Sequence, residues 1–112
     1  MKATDIVKTL LTLRRLQLQL TQRRMAELIE AVAHDFGHHF ALGQTGESRI
    51  ESTGSMEASR VLAVSAAVGL KDPFLFPMLV LWGDRDIPVA RPPSLKESTD
   101  IVALGPAGAI KW

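Results

Sequence analysis

Apolar and polar residues fall along the chain in blocks whose spacing predicts helices in the first third and short buried strands after it. Over residues 22–36, Met25, Leu28, Ile29, Val32 and Phe36 recur at i, i+3, i+4, i+7 and i+11, with Arg23, Arg24, Glu27 and Glu30 on the other side. That predicts an amphipathic helix, which Thr21 can cap and Gly37 can end. Ahead of it, Ile6, Leu10, Leu13 and Leu20 keep helical spacing, whereas Leu16-Gln17-Leu18-Gln19-Leu20 alternates with period two, so residues 5–20 read as helix or strand. His39-Phe40-Ala41-Leu42 predicts a short strand closing at Gly43, and the polar stretch from Gln44 to Ser59 a weak surface helix or a loop. Residues 60–69 carry helix-forming alanines and strand-forming valines together, and periodicity cannot separate the two.

The second half is punctuated by proline and glycine. Asp72-Pro73 introduces a new element, with Asp as cap and Pro at the first position. From Pro77, Met78-Leu79-Val80-Leu81-Trp82 form an apolar run that stops at Gly83 and passes into Asp84-Arg85-Asp86. Such a run predicts a strand buried on both faces, with carboxylates at its C-terminal end, where open α/β sheets gather their functional groups. Arg91-Pro92-Pro93-Ser94 predicts a turn, residues 95–98 a short helix, and residues 100–108 a strand followed by a glycine-proline turn. The order αα-β-α-β-β-α-β predicts an α/β domain, a small and mostly parallel sheet flanked by helices. One domain over residues 1–112 is expected: an amino-terminal helix or strand (1–20), a main α/β body (21–90), and a turn plus carboxy-terminal strand (91–112).

Composition narrows the chemistry. The chain of 112 residues, 46% hydrophobic and 22% charged, can bury a real core. It has no cysteine, which excludes disulfides, thiolate metal sites and thiol catalysis. The longest apolar run is broken by Pro77 and falls far short of a membrane helix, and charges interrupt the amino-terminal apolar residues, so a soluble cytoplasmic protein is expected. The net charge of +1 hides an asymmetry: residues 1–24 carry six basic groups against one acid, and residues 25–60 two against six. Lys2, Lys8, Arg14, Arg15, Arg23 and Arg24 read as a solvated face, so charge alone does not call for nucleic acid. Glu30, His34 and His38 are spaced i, i+4, i+8, but Gly37 breaks the register, so solvent-facing imidazoles are expected rather than a metal site. No cofactor is expected. Phe74, Phe76 and Trp82 read as core.

From Thr21 to the last residue the pieces resemble the α/β-hydrolase family in its own order. The Pro77–Pro88 segment resembles the strand that delivers the acid of the catalytic triad, with Asp86 in the acid's place. Phe40-Ala41-Leu42-Gly43 resembles the nucleophile strand, and residues 101–108 the last strand and the loop of the catalytic histidine. The resemblance implies an ester-type hydrolase or a small-molecule binding module, with Ser48 of Gly46-Glu47-Ser48, or Thr45 of Gly43-Gln44-Thr45, as the hydroxyl. Ile50 stands where the second glycine of the nucleophile turn belongs, and Ala109 where the histidine belongs, so the triad is incomplete and the likeness is to a truncated, vestigial hydrolase. A truncated sheet would leave an open edge beside an apolar surface, from which self-association is expected.

A second resemblance lies in Leu20-Thr21-Gln22-Arg23-Arg24-Met25-Ala26-Glu27-Leu28, followed by Ser48-Arg49-Ile50-Glu51 and by Leu62 to Leu70. These segments are similar to the helix-turn-helix repressors of the phage Cro type, which implies a dimeric DNA-binding regulator with a helix in the major groove. About eleven extra residues separate the two motif helices, where that family's turn is three or four residues long. An insertion of that size is expected to undock the second helix from the first.

Overall fold

The computed structural model describes residues 2–87, and they form five helices: α1 (Ala3–Gln17), α2 (Gln22–Asp35), α3 (Gly43–Thr53), α4 (Ala58–Val68) and α5 (Leu75–Trp82). The α/β architecture, and with it an α/β-hydrolase-like sheet, is not what the described residues adopt. Among the described residues there is no strand, only an isolated antiparallel bridge between Lys2 and Asp86. The expected elements at residues 91–94, 95–98 and 100–108, and Ala109, lie outside the described residues.

α1 runs through the middle and packs against α3, α4 and α5, while α2 packs against α3 and α4. Ile6, Val7, Leu10, Leu11 and Leu13 of α1 are buried, a stripe wide enough to serve three neighbours. The period-two alternation at residues 16–20 is the unwinding end of this helix. Leu18 donates its backbone N–H to the Arg14 carbonyl, Leu20 donates to Arg15, and Gln19 takes the left-handed conformation at φ 57°. Arg14, itself buried, donates from Nε to the Ala67 carbonyl at 3.3 Å, where a cation suits the C-terminal end of α4.

α2 follows the sequence expectation except at its end, where Phe36, expected on the apolar face, is an exposed C-cap residue. The Thr21 hydroxyl accepts from the Arg24 amide, Met25, Ala26, Ile29 and Ala33 are buried, and Gly37 ends the helix at φ +80°. The expected strand at residues 39–42 is a connection, and Gln44 to Thr53 become helix. Residues 60–69 resolve as helix α4 with Ala63, Val64, Ala67 and Val68 inward, closed by Gly69. Gly54 is fixed for a steric reason: a Cβ on it would sit 2.0 Å from the Thr4 carbonyl oxygen, so α3 ends hard against the start of α1.

The largest departure is the apolar run that reads as a strand. Leu75 to Trp82 coil into α5, with Phe76 and Leu79 inward at helical spacing. Val80 is its one β-branched residue, and Pro77 sits in the first turn, where a missing N–H costs nothing because those amides have no partner within the helix. Asp72 and Pro73 are not the cap and first position of a separate element; they lie in the turn ahead of this helix, where Asp72 Oδ1 accepts from the amide of Phe74, the N-cap residue, at 2.9 Å. The twin acids therefore do not stand at a sheet edge. They belong to a turn that supplies acceptors to the first turn of α1: Ala3 donates to the Arg85 carbonyl at 3.1 Å, Thr4 to the Gly83 carbonyl at 3.0 Å, and the Thr4 hydroxyl to Asp84 at 3.4 Å.

Candidate nucleic-acid interface

The seven residues between α2 and α3 do not undock α3, contrary to the sequence expectation. Glu30 of α2 spans the gap, and its Oε2 accepts from the Leu42 amide at 2.6 Å and the Gly43 amide at 3.0 Å. These are first-turn amides of α3 that no residue of the helix itself can satisfy, and a carboxylate is well placed against the positive end of the helix. Leu42 and Ile50 are buried in the common core with Met25 and Ile29. The insertion is thus bridged by one side chain, and α3 is held by α2 at its start and by α1 along its length.

The hold on α1 is ionic. Arg15 donates from Nε to Glu51 Oε2 at 2.8 Å and from Nη2 to Oε1 at 3.1 Å, while the Thr12 hydroxyl donates to Oε1 at 3.0 Å. This bidentate pair is mostly withdrawn from solvent, with side-chain exposures of 17% for Arg15 and 7% for Glu51. Burial works against the ionised Glu51, but hydrogen bonds from Glu47, Arg15 and Thr12 outweigh it and hold the carboxyl below its ordinary value. Arg15 is raised in turn, chiefly by its hydrogen bond to Glu51.

One turn earlier on the same inner face, Glu47 is completely buried. As a carboxylate it has no hydrogen-bond partner, since neither it nor Glu51 would carry a proton to donate. A proton on Glu47 resolves this by giving Glu51 a donor. Burial first, then the hydrogen bond to Glu51 and its charge, push the Glu47 pKa up to about 9, so the pair is an acid beside a carboxylate at neutral pH.

With both acids turned inward, the outer face of α3 carries no carboxylate. Gln44, Thr45, Ser48, Arg49 and Ser52 line a shallow open concavity of about 550 Å³ along it. Gln44 is shared with a neighbouring hollow that includes Arg23 of α2, and Arg49 with another that includes Arg60 of α4. The result is a band in which hydrogen-bonding side chains of one helix are flanked by an arginine on either side, with Glu27 and Glu30 lining the hollow of Arg23 and Glu57 that of Arg60. Arg23 and Arg24 lie near Glu27 in exposed pairs of 3.8 and 2.9 Å, which water and salt weaken readily. Arg60 lies over the Phe40 ring at 5.5 Å, so the connection between α2 and α3 also orients this cation.

Of the residues singled out in the sequence, Thr45 and Ser48 come together on this face, one exposed and the other half-buried. Asp86 does not line that concavity; it lies beyond α5, paired in backbone with Lys2. Thr45 and Ser48 lie within a regular helix, not on the strained strand-to-helix turn that exposes a hydrolase nucleophile. Glu30 is committed to capping α3, and His34 Nδ1 meets His39 Nδ1 at 3.0 Å, so the i, i+4, i+8 set is not assembled. Among the described residues no three His, Asp or Glu side chains converge as a metal site. Phe76 is core as expected, whereas Phe74 and Trp82 are exposed. Arg14 and Arg15, read from sequence as part of a solvated face, are instead turned inward. The Arg15–Glu51 pair and the inward Glu47 went unread; Glu47 and Ile50, three apart, were the available signal for their common face.

No helix among the described residues is long and apolar enough to cross a membrane. No family model, curated protein or solved structure matches the chain.

Proposed function

We propose that the protein binds duplex DNA, laying the outer face of α3 along a major groove. The observation that carries this reading is the sorting of side chains on α3: Glu51 is drawn inward to Arg15 and Thr12 and Glu47 is buried beside it, leaving Gln44, Thr45, Ser48, Arg49 and Ser52 outward. A major groove admits one α-helix, and its base edges are read mostly by amide, hydroxyl and guanidinium groups; a carboxylate on that face can accept only from cytosine and is repelled by the phosphates. Arg49 has the forked donors that suit guanine, and Gln44 the paired donor and acceptor that suit adenine. Arg23 and Arg60 flank the helix at positions suited to phosphates on either side of the groove. The likeness to the Cro-type repressors supports the same reading, with the Glu30 brace standing in for a short turn.

Fluorescence anisotropy with mixed-sequence duplexes tests it. Binding is expected at 50 mM salt and should weaken with a log–log slope of about −2 to −4, as for a few phosphate contacts per chain. Arg49→Ala should cost about 1–3 kcal/mol of affinity for the preferred sequence, and Arg23→Ala should weaken all sequences alike. Binding that ignores salt, or an Arg49→Ala protein that binds every duplex as the wild type does, would reject the proposal.

A further inference from the structure

α5 is apolar all round yet packs by only one side. Phe76 and Leu79 face inward, while Leu81 is 84% exposed, Phe74 72% and Met78 61%, with Trp82 beside them. These four recur at helical spacing and form one outward stripe. It continues past Pro73 into an apolar hollow of about 370 Å³ lined by Phe36, Leu62, Ala66 and Leu70. Isolated exposed apolar side chains are ordinary on a protein surface, but a contiguous patch of this kind marks a surface that something covers. Self-association was expected from a sheet edge; among the described residues there is no such edge, and this helix face takes its place.

We propose that a second copy of this chain covers it, with the two α5 helices packed antiparallel about a two-fold axis. Three observations select that occupant. Apart from Arg85, whose guanidinium lies over the Trp82 ring at 5.1 Å at its far end, the stripe carries no charge, so it complements another apolar stripe. Exposed Lys71 and Asp72 precede the helix and exposed Asp84, Arg85 and Asp86 follow it. Antiparallel packing brings Lys71 of one copy to the net negative 84–86 segment of the other, whereas parallel packing sets the two negative segments against each other; such rim charges fix orientation more than strength. The third is area: Phe36, Leu62, Phe74, Met78, Leu81 and Trp82 together expose on the order of 700 Å² per chain, close to the roughly 800 Å² per partner of a stable interface. A two-fold contact uses the same patch on both copies and closes on itself, leaving no surface to propagate.

Sedimentation equilibrium of the full chain from 10 to 500 μM tests this. The expected mass is twice 12.2 kDa at the upper end. Leu81→Glu and Met78→Lys are each expected to weaken the dimer by about 100-fold, as for central residues of an interface. At concentrations where all three proteins are monomeric they should share one far-ultraviolet spectrum and one unfolding temperature. Lys71→Glu should weaken association, and adding Asp84→Lys should restore it. A wild type that stays monomeric, or a Leu81→Glu protein that still dimerises, overturns the proposal. Unfolding of Leu81→Glu at a lower temperature as a monomer does so too, since it would mean that the chain covers this face itself. Failure of Asp84→Lys to rescue overturns the antiparallel arrangement. The reading of α3 stands apart: a monomer that still binds duplex through Arg49 removes the dimer and leaves the DNA contact.

Discussion

Glu47 makes this fold lose stability as the pH rises, and Glu47→Gln should remove that dependence. In the unfolded chain the carboxyl titrates near 4.5, and in the folded protein near 9. A group raised on folding gives its full stability below the unfolded value, and that stability is lost as pH rises toward the folded one. Between those limits the loss is about 1.4 kcal/mol per pH unit, which integrates to roughly 6 kcal/mol across the window. That would rival the entire stability of a small domain, and relaxation with entry of water should bring it to about half, near 3 kcal/mol between pH 5 and 9. The Gln variant cannot ionise; it still offers an N–H to Glu51 but carries amide groups without partners, for a constant cost of about 1–2 kcal/mol. It should therefore be less stable than the wild type at pH 5 and more stable at pH 9. Urea unfolding followed by circular dichroism at pH 5, 7 and 9 measures both proteins. Other titrating groups are common to the two, so the difference between their free energies isolates Glu47 and its coupling to Glu51. If that difference stays constant across the range, Glu47 does not hold its proton in the folded state and the acid–carboxylate pair beneath α3 is wrong.

Two further substitutions probe how α3 is held. Gly54→Ala brings a Cβ within 2.0 Å of the Thr4 carbonyl oxygen at a backbone φ of +71°. Strain and overpacking together should cost on the order of 3 kcal/mol, read as a lowered urea midpoint; an unchanged midpoint would show that α1 and α3 do not meet there. Glu30→Ala leaves the Leu42 and Gly43 amides without their acceptor and should cost about 1–2 kcal/mol. Its effect on duplex binding should exceed that of any equally destabilising change in α5, because it frees the start of α3; equal effects would refute the brace.

Legibility in the sequence followed the periodicity. α2 could be read because its apolar residues recur at one spacing, Thr21 precedes it and Gly37 follows. α5 could not, since an eight-residue apolar segment looks alike whether it coils or extends, and Pro77 suits the first turn of a helix as well as the start of a strand. Taking it as a strand placed Asp84 and Asp86 at a sheet edge and lent them chemistry, when their neighbours' carbonyls serve α1. The polar run of α3 hid a helix because its inward positions include Glu47 and Glu51. A buried acid reads as surface until Arg15, thirty-six residues away, is seen beside it. Thr45 and Ser48 resemble a hydrolase nucleophile in sequence only; in the fold both are hydroxyls on the outer side of that helix.

The acceptors for Ala3 and Thr4 come from Arg85 and Gly83, so the opening turn of the first helix waits for residues made some eighty positions later. On a ribosome, α1 to α4 emerge with those two amides left to water, and this contact can close only when the segment after α5 has cleared the exit tunnel. Hydrogen exchange at those two amides therefore reports docking of the segment after α5 onto the start of α1, a clasp joining the two ends of the described chain.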